Sequence, residues 1–407
     1  MSLRMGRTSI LAMPLLAAAM VPSFASCAQT EGAEADGGDG RVVVPAEAGV
    51  DGGDLDASSD GGDCETSAND CVSQSITCDE APWCPIPTGV STRYALTAVW
   101  GSSKNDIWAV GSGGTIIHFD GAAWTTTPTD LRHTFNDVWG SGPNDVWAVA
   151  MTDTILHTTG FASGTATWTR VPAPRDPRNA LPVHAVWGTG PDAVRLGVRA
   201  YSFYDPNTGE FPFIDQYTLK VEDDGGIGWD PVEGEGSVLG FWGSSTDLWV
   251  VADNSEKNSW QKGMTKQGTP GKGGVFEWKV VDSQSTVVLE GIWGSSANDI
   301  WAVGQKGTIR RMSNGAARWE VIDAPTQESL HGIWGSGPND VWAVGDSGTI
   351  LHWDGTAWSP SLAAFALGKK PNLYGIWGSA PNDVWIVGDG VSLHYTGPKS
   401  GGQGGGQ

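Results

Sequence analysis

Basic residues are scarce in this chain. Its 407 residues hold 24 Lys and Arg against 46 Asp and Glu, a formal charge of −22. Gripping a phosphate backbone takes clustered Lys and Arg, so this balance excludes a nucleic-acid partner. Long apolar runs are also missing. Beyond the N-terminus no stretch reaches the ~18 residues of a spanning helix. Cysteine is sparse, five in all, with no CxxC pair to suggest a zinc site. The GxSxG, HExxH, P-loop and dinucleotide fingerprints do not occur in a supporting context, and no cofactor is implied. Tryptophan is the opposite case. There are 22, spaced regularly, which implies a packed interior and excludes a fully disordered chain.

Positions 1–27 read as an export signal. Arg4 and Arg7 precede an apolar stretch from Ser9 to Val21, too short to span a bilayer. Phe24-Ala25-Ser26-Cys27 resembles the lipobox of bacterial lipoproteins, although Phe24 stands where Leu is usual. That resemblance implies acylation of Cys27 and, with no Asp after it, an outer-membrane anchor. Ordinary cleavage near Ala25 would instead release an extracellular protein. Residues 28–63 carry ten acids and no aromatic, a composition that cannot bury enough apolar area to fold. They read as an extended acidic tether. Residues 64–82 form a lead-in with Cys64, Cys71 and Cys78, and Cys84 follows. In an exported chain this even set predicts two disulfides, with the pairing open.

One phrase recurs seven times, beginning at Trp100, Trp139, Trp187, Trp242, Trp293, Trp334 and Trp377. The intervals between these tryptophans fit four short strands per repeat. We name the strands A to D and number the blades from Trp100. Strand A ends at WG, strand B is IWAVG or VWAVG, strand C is of the type GTILHW, and strand D opens on another Trp. After Trp377 the chain supplies A, B and C, then a Gly-rich tail at 397–407. Trp83 precedes Trp100 by an interval within the range that separates the other D and A tryptophans. It is the missing D strand. The expectation is an all-β, seven-bladed β-propeller over 83–396, with an N-terminal strand closing the last blade and leaving no sheet edge. The three Trp registers absorb all but Trp260 and Trp353, so these rings read as core rather than as a sugar-stacking surface. Arg195 replaces the strand-B Trp of blade 3, the expected weak blade.

The phrases NDVWAVG and GTILHWDG, with a Trp three positions later, resemble bacterial BNR or Asp-box propellers. They are similar also to photosystem II assembly-factor propellers. Asp120-Gly121 to Trp124 and Asp354-Gly355 to Trp358 keep the Asp and Trp of the Asp-box but lack its leading Ser and spacer. The resemblance implies either a binding propeller or a sialidase-like glycoside hydrolase. The hydrolase needs an Arg cluster, a Tyr nucleophile and acids. Here Arg and Tyr are scattered, so no catalytic residue is assigned.

Several patterns read as structural. The Asn-Asp pairs of the A-to-B turn are expected to fix that turn. His118, His157, His352 and His394 share one strand-C position, too far out to share a metal. The candidate site is a ring three positions before each strand-A Trp: Thr97, Asn136, His184, Leu239, Glu290, His331 and Tyr374. Its members are varied and, but for Leu239, polar, while the repeat around them is monotonous. That is what a ligand site at a channel mouth requires. Two insertions open on the same face. One is aromatic, with Tyr201, Phe203 and Tyr204. The other carries Trp260 with Lys257, Lys262, Lys266 and Lys272. Together they read as a partner surface. The sequence therefore points to a non-catalytic, monomeric binding or scaffold protein at the cell surface. Its expected partners are a protein or a glycan, with the membrane reached through a lipid anchor.

Overall fold

Every repeat sets short runs of β-branched and aromatic residues between Gly-, Asn- and Asp-rich turns, the pattern of short buried strands. The computed structural model describes residues 75–398 apart from 175–180, 203, 205–207, 224, 256–259, 273–274, 314–315 and 317. The signal, the tether, Cys27, Cys64, Cys71 and the tail beyond residue 398 lie outside the described residues. Seven four-stranded antiparallel sheets form the blades. In blade 1 strands A to D are Leu96–Ser103, Asp106–Gly111, Ile116–Phe119 and Trp124–Thr126. Blade 2 adds a two-stranded hairpin, Phe161–Ala162 with Thr165–Ala166, between its strands C and D.

The ring closes as the tryptophan spacing predicts. Trp83–Pro85 pairs with Val391–Tyr395, strand C of blade 7, matching Trp83 with Tyr395 and Cys84 with His394. Trp83 is fully buried. Cys84 bonds Cys78, with 5.4 Å between the Cα atoms. The bridge closes a short loop and fastens the lead-in to the closing strand. It does not join the two ends of the ring; the hydrogen-bonded ladder does.

The tryptophan registers are the joints between blades. A strand-D ring meets, edge-on, the strand-B ring of the preceding blade. Trp358 and Trp301 lie 5.4 Å apart at 85°, and Trp319 and Trp249 lie 5.6 Å apart at 88°. Trp83 and Trp342 make the same contact across the closing blade, at 5.0 Å. This geometry sets the positive ring edge against the negative face. The strand-A Trp does a second job. The ring of Trp293 covers Gly335 of the next blade so closely that a Cβ there would lie 2.6 Å from it. In six of the seven blades the Gly of WG makes room in this way for the preceding blade's indole; Gly243 of blade 4 instead meets the backbone of Asp247 and Leu248.

The Asp of the A-to-B turn acts across the blade rather than on the turn backbone as expected. In blade 6, His352 Nε2 donates to Asp340 Oδ1 at 2.7 Å while its ring stacks on Trp342 at 4.0 Å. His118, His157 and His394 repeat this with Asp106, Asp145 and Asp383. Arg311 takes the role in blade 5, donating to Asp299 at 2.8 Å over Trp301. Gln267 does so in blade 4, donating to Asp247 at 2.9 Å. The turn Ser closes the set, as where Ser141 donates to Asp145 at 2.6 Å. Each strand-C His thus serves its own blade.

Candidate functional site

The seven A strands line one central cavity of about 510 Å³. All seven ring residues reach it: Thr97, Asn136, His184, Leu239, Glu290, His331 and Tyr374. The backbone explains why. In every blade the A–B register slips at that residue. Leu96 faces Gly111 and Ala98 faces Val110, which leaves Thr97 without a partner in the ladder. The same slip falls at Asn136, His184, Leu239, Glu290, His331 and Tyr374. A β-bulge frees one side chain from the pleat and re-aims it. Here it does so once per blade, at one level.

The members then divide. Thr97 and Asn136 tie neighbouring blades together. Thr97 donates to the Phe135 carbonyl at 2.6 Å, and Asn136 Nδ2 donates to the Val183 carbonyl at 2.7 Å. His331 is the centre of a charged cluster. Its Nδ1 donates to Glu290 at 2.6 Å and its Nε2 to Asp346 at 2.8 Å. Burial opposes its charge, but the two carboxylates outweigh that and raise its pKa to about 9. Gln305 donates to the other oxygen of Glu290 at 3.3 Å, and Tyr374 donates to Asp389 at 3.3 Å. The rings of Tyr374 and His331 lie 5.4 Å apart. Across the mouth His184 is held neutral more firmly than usual, by burial and then by the charge of Arg199.

Asp346, Asp389, Gln305 and Arg199 belong to a second ring, at the place that follows AVG in the strand-B phrase. It reads Ser112, Met151, Arg199, Asp253, Gln305, Asp346 and Asp389. Sequence reasoning missed this ring. The signal was the one that found the first: a varied position in a monotonous phrase. Asp137 was missed as well. It lines the cavity immediately after the bulge of blade 2. Burial raises its pKa to about 7, although the Val138 and Val186 amides both donate to it at 2.9 Å.

The two insertions are shorter than the sequence suggests. Tyr201 lies in strand B of blade 3 (Val194–Ser202), half-buried, with its hydroxyl against that of Tyr217. Tyr204 is exposed and packs on Phe211 at 5.3 Å; Phe203 lies outside the described residues. Trp260 is 94% exposed. The basic set of the second insertion does not form one patch. Regular pairing resumes at Gly263, so Lys266 falls in strand C of blade 4 (Gly263–Pro270). There it is buried against Asp215 of blade 3, as a cation removed from water must be. Lys272 falls in the C-to-D turn, at the opposite end of the blade, and Lys257 lies outside the described residues.

No family model matches the chain, and no curated protein matches it. Solved structures do. YCF48 bound to D1 peptide superposes with a TM-score of 0.57 at 20% identity, over 80% of this chain and 100% of that one. YCF48 from Cyanidioschyzon merolae gives 0.57 at 18%, over 77% and 98%. A streptogramin B lyase gives 0.53 at 13%, over 74% of this chain and 92% of that one. At these identities the likeness is one of fold, and the fold is a seven-bladed β-propeller.

Proposed function

We propose that the propeller is a non-catalytic receptor for an extended segment of a protein partner, held at the channel mouth. The observation that carries this is the seven bulged side chains gathered at one level, backed by a second ring of varied residues. The mouth is electrically uneven. Glu290 and Asp346 flank the cation of His331 and Asp389 holds the Tyr374 hydroxyl on blades 5 to 7, while Arg199 adjoins His184 on blade 3. Such a field orients a peptide and selects a cationic side chain for the acidic arc. The YCF48 propeller solved with a peptide supports a ligand of this kind. Exposed Tyr204 and Trp260, on B-to-C loops of the same face, would extend the contact. An outer-membrane anchor at Cys27, or release as an extracellular protein, completes the reading, with the acidic tether as spacer.

The test offers the full chain a random-peptide display library and a broad glycan array. Enrichment of peptides with Lys or Arg, reduced about tenfold or more by Glu290→Ala or His331→Ala, is expected for a charge-assisted contact. Glycan binding or hydrolysis without peptide enrichment would favour the glycosidase reading. Cys27→Ala should release the protein from membranes, and unchanged membrane association would overturn the anchor.

A further inference from the structure

Blade 3 lacks the clamp that the other six blades carry. By register, Trp187, Arg195 and Thr218 stand where blade 2 has Trp139, Trp147 and His157. Thr189 replaces the turn Ser and Ala193 the Asp. Loss of one member would strand the others as unpaired polar groups, which is costly. Here every position has changed, and the four replacements line one cavity of about 600 Å³ between blades 3 and 4. Phe276 and Trp278 of blade 4 form the facing wall. Trp278 is the strand-D ring whose strand-B partner is missing.

Arg195 enters this cleft with its donors unused. Its guanidinium lies 4.7 Å over the Phe276 ring. Among the described residues it has no hydrogen bond or ion pair. Burial lowers its pKa only to about 10, so it is charged at neutral pH. A planar fork of N–H groups fits a carboxylate in two-point contact, and the aromatic walls suit a flat apolar body. Asp192 and Asp230 also line the cleft. Their charges disfavour a dianion such as phosphate and favour a single carboxylate.

We infer that the cleft between blades 3 and 4 is a second binding site, which takes an aromatic monocarboxylate on Arg195 against Phe276 and Trp278. The ligand is either a free small molecule or the C-terminal aromatic residue of a peptide. The site lies toward the A-to-B turns, away from the channel mouth, so the peptide-receptor reading can fail without it.

Titration calorimetry on the full chain tests it with three probes: N-acetyl-L-tryptophan, its carboxamide, and the peptide Gly-Gly-Gly-Gly-Trp with a free C-terminus. N-acetyl-L-tryptophan should bind with a Kd below about 10 mM and at least about tenfold more tightly than the carboxamide, since a charge-assisted pair is lost. Tighter binding of the peptide than of N-acetyl-L-tryptophan would identify a C-terminus as the source; weaker binding would identify a small molecule. Arg195→Trp restores the edge-on pair with Trp278 and should abolish binding while raising Tm. That outcome separates a lost site from a lost fold. Equal affinity for acid and carboxamide, no binding of either, or unchanged binding by Arg195→Trp would overturn the proposal.

Discussion

At the scale of single residues, two groups at the channel make stability depend on pH. His331 titrates near 6.5 when unfolded and at about 9 when folded. A raised pKa means that the charged form is bound more tightly by the fold. Its contribution is therefore complete below about pH 6.5 and lost as pH rises through about 9. Asp137 acts in the same direction for a different reason. Its folded pKa, raised to about 7 by burial, penalises the ionised carboxyl. Stability should fall as pH rises from about 4 through 7. Asp137→Asn loses one amide hydrogen bond, which sets a constant offset. Beyond that, the variant should gain stability relative to the parent between about pH 4 and 7, by up to ~1.4 kcal/mol per pH unit. A pH-independent difference in thermal unfolding would reject a buried titrating carboxyl. Neither group was legible as a titrating site. His331 stood out by its place in the repeat, but its charge depends on Asp346, which only the pairing of strands A and B brings beside it. Asp137 looked like an ordinary strand residue.

At the scale of elements, the blade joints carry the prediction. Trp301 is fully buried between Trp353 and Trp358 and beneath Arg311. Trp301→Ala should cost ~3–5 kcal/mol, read by denaturant unfolding. The glycines give a sharper comparison. A Cβ at Gly335 would lie 2.6 Å from the Trp293 ring and 2.7 Å from the Asp340 carbonyl, whereas at Gly337 nothing lies within 4 Å. Gly335→Ala should destabilise by ~1–3 kcal/mol and Gly337→Ala by less than about 0.5 kcal/mol. Equal costs would refute the ring-over-glycine joint. The strands and the core role of the tryptophans were legible because each recurs with the repeat. Their partners were not, since a strand-D ring such as Trp358 packs on the preceding blade, far back along the chain.

At the scale of the whole molecule, stability rests on closure. Removing Trp83–Pro85 would expose the edge of strand C in blade 7 and strip Trp342 and Tyr395 of a buried neighbour. An open edge templates association. A chain truncated to begin at residue 86 should therefore aggregate or lose its cooperative unfolding transition. Cys78→Ser, which opens only a short loop, should cost about 2 kcal/mol and leave the chain monodisperse on size-exclusion chromatography. If the truncation is as soluble as the parent, the N-terminal strand does not close the ring.

The sequence by itself determined the number of blades, the four strands of each, the closing strand at Trp83 and the level of the mouth ring. These follow from local pattern: short apolar runs, turn residues and a recurring phrase, each a property of neighbouring residues. Only the tertiary structure decided what the side chains do. It turned the Asp of the A-to-B turn toward a strand-C His and drew Lys266 out of a basic loop into a buried pair. It set Asp346 on His331 and left Arg195 alone in an open cleft. Each depends on which groups the closed ring brings within a few ångströms. Hydrogen bonds and desolvation act at that distance, whatever the separation along the chain.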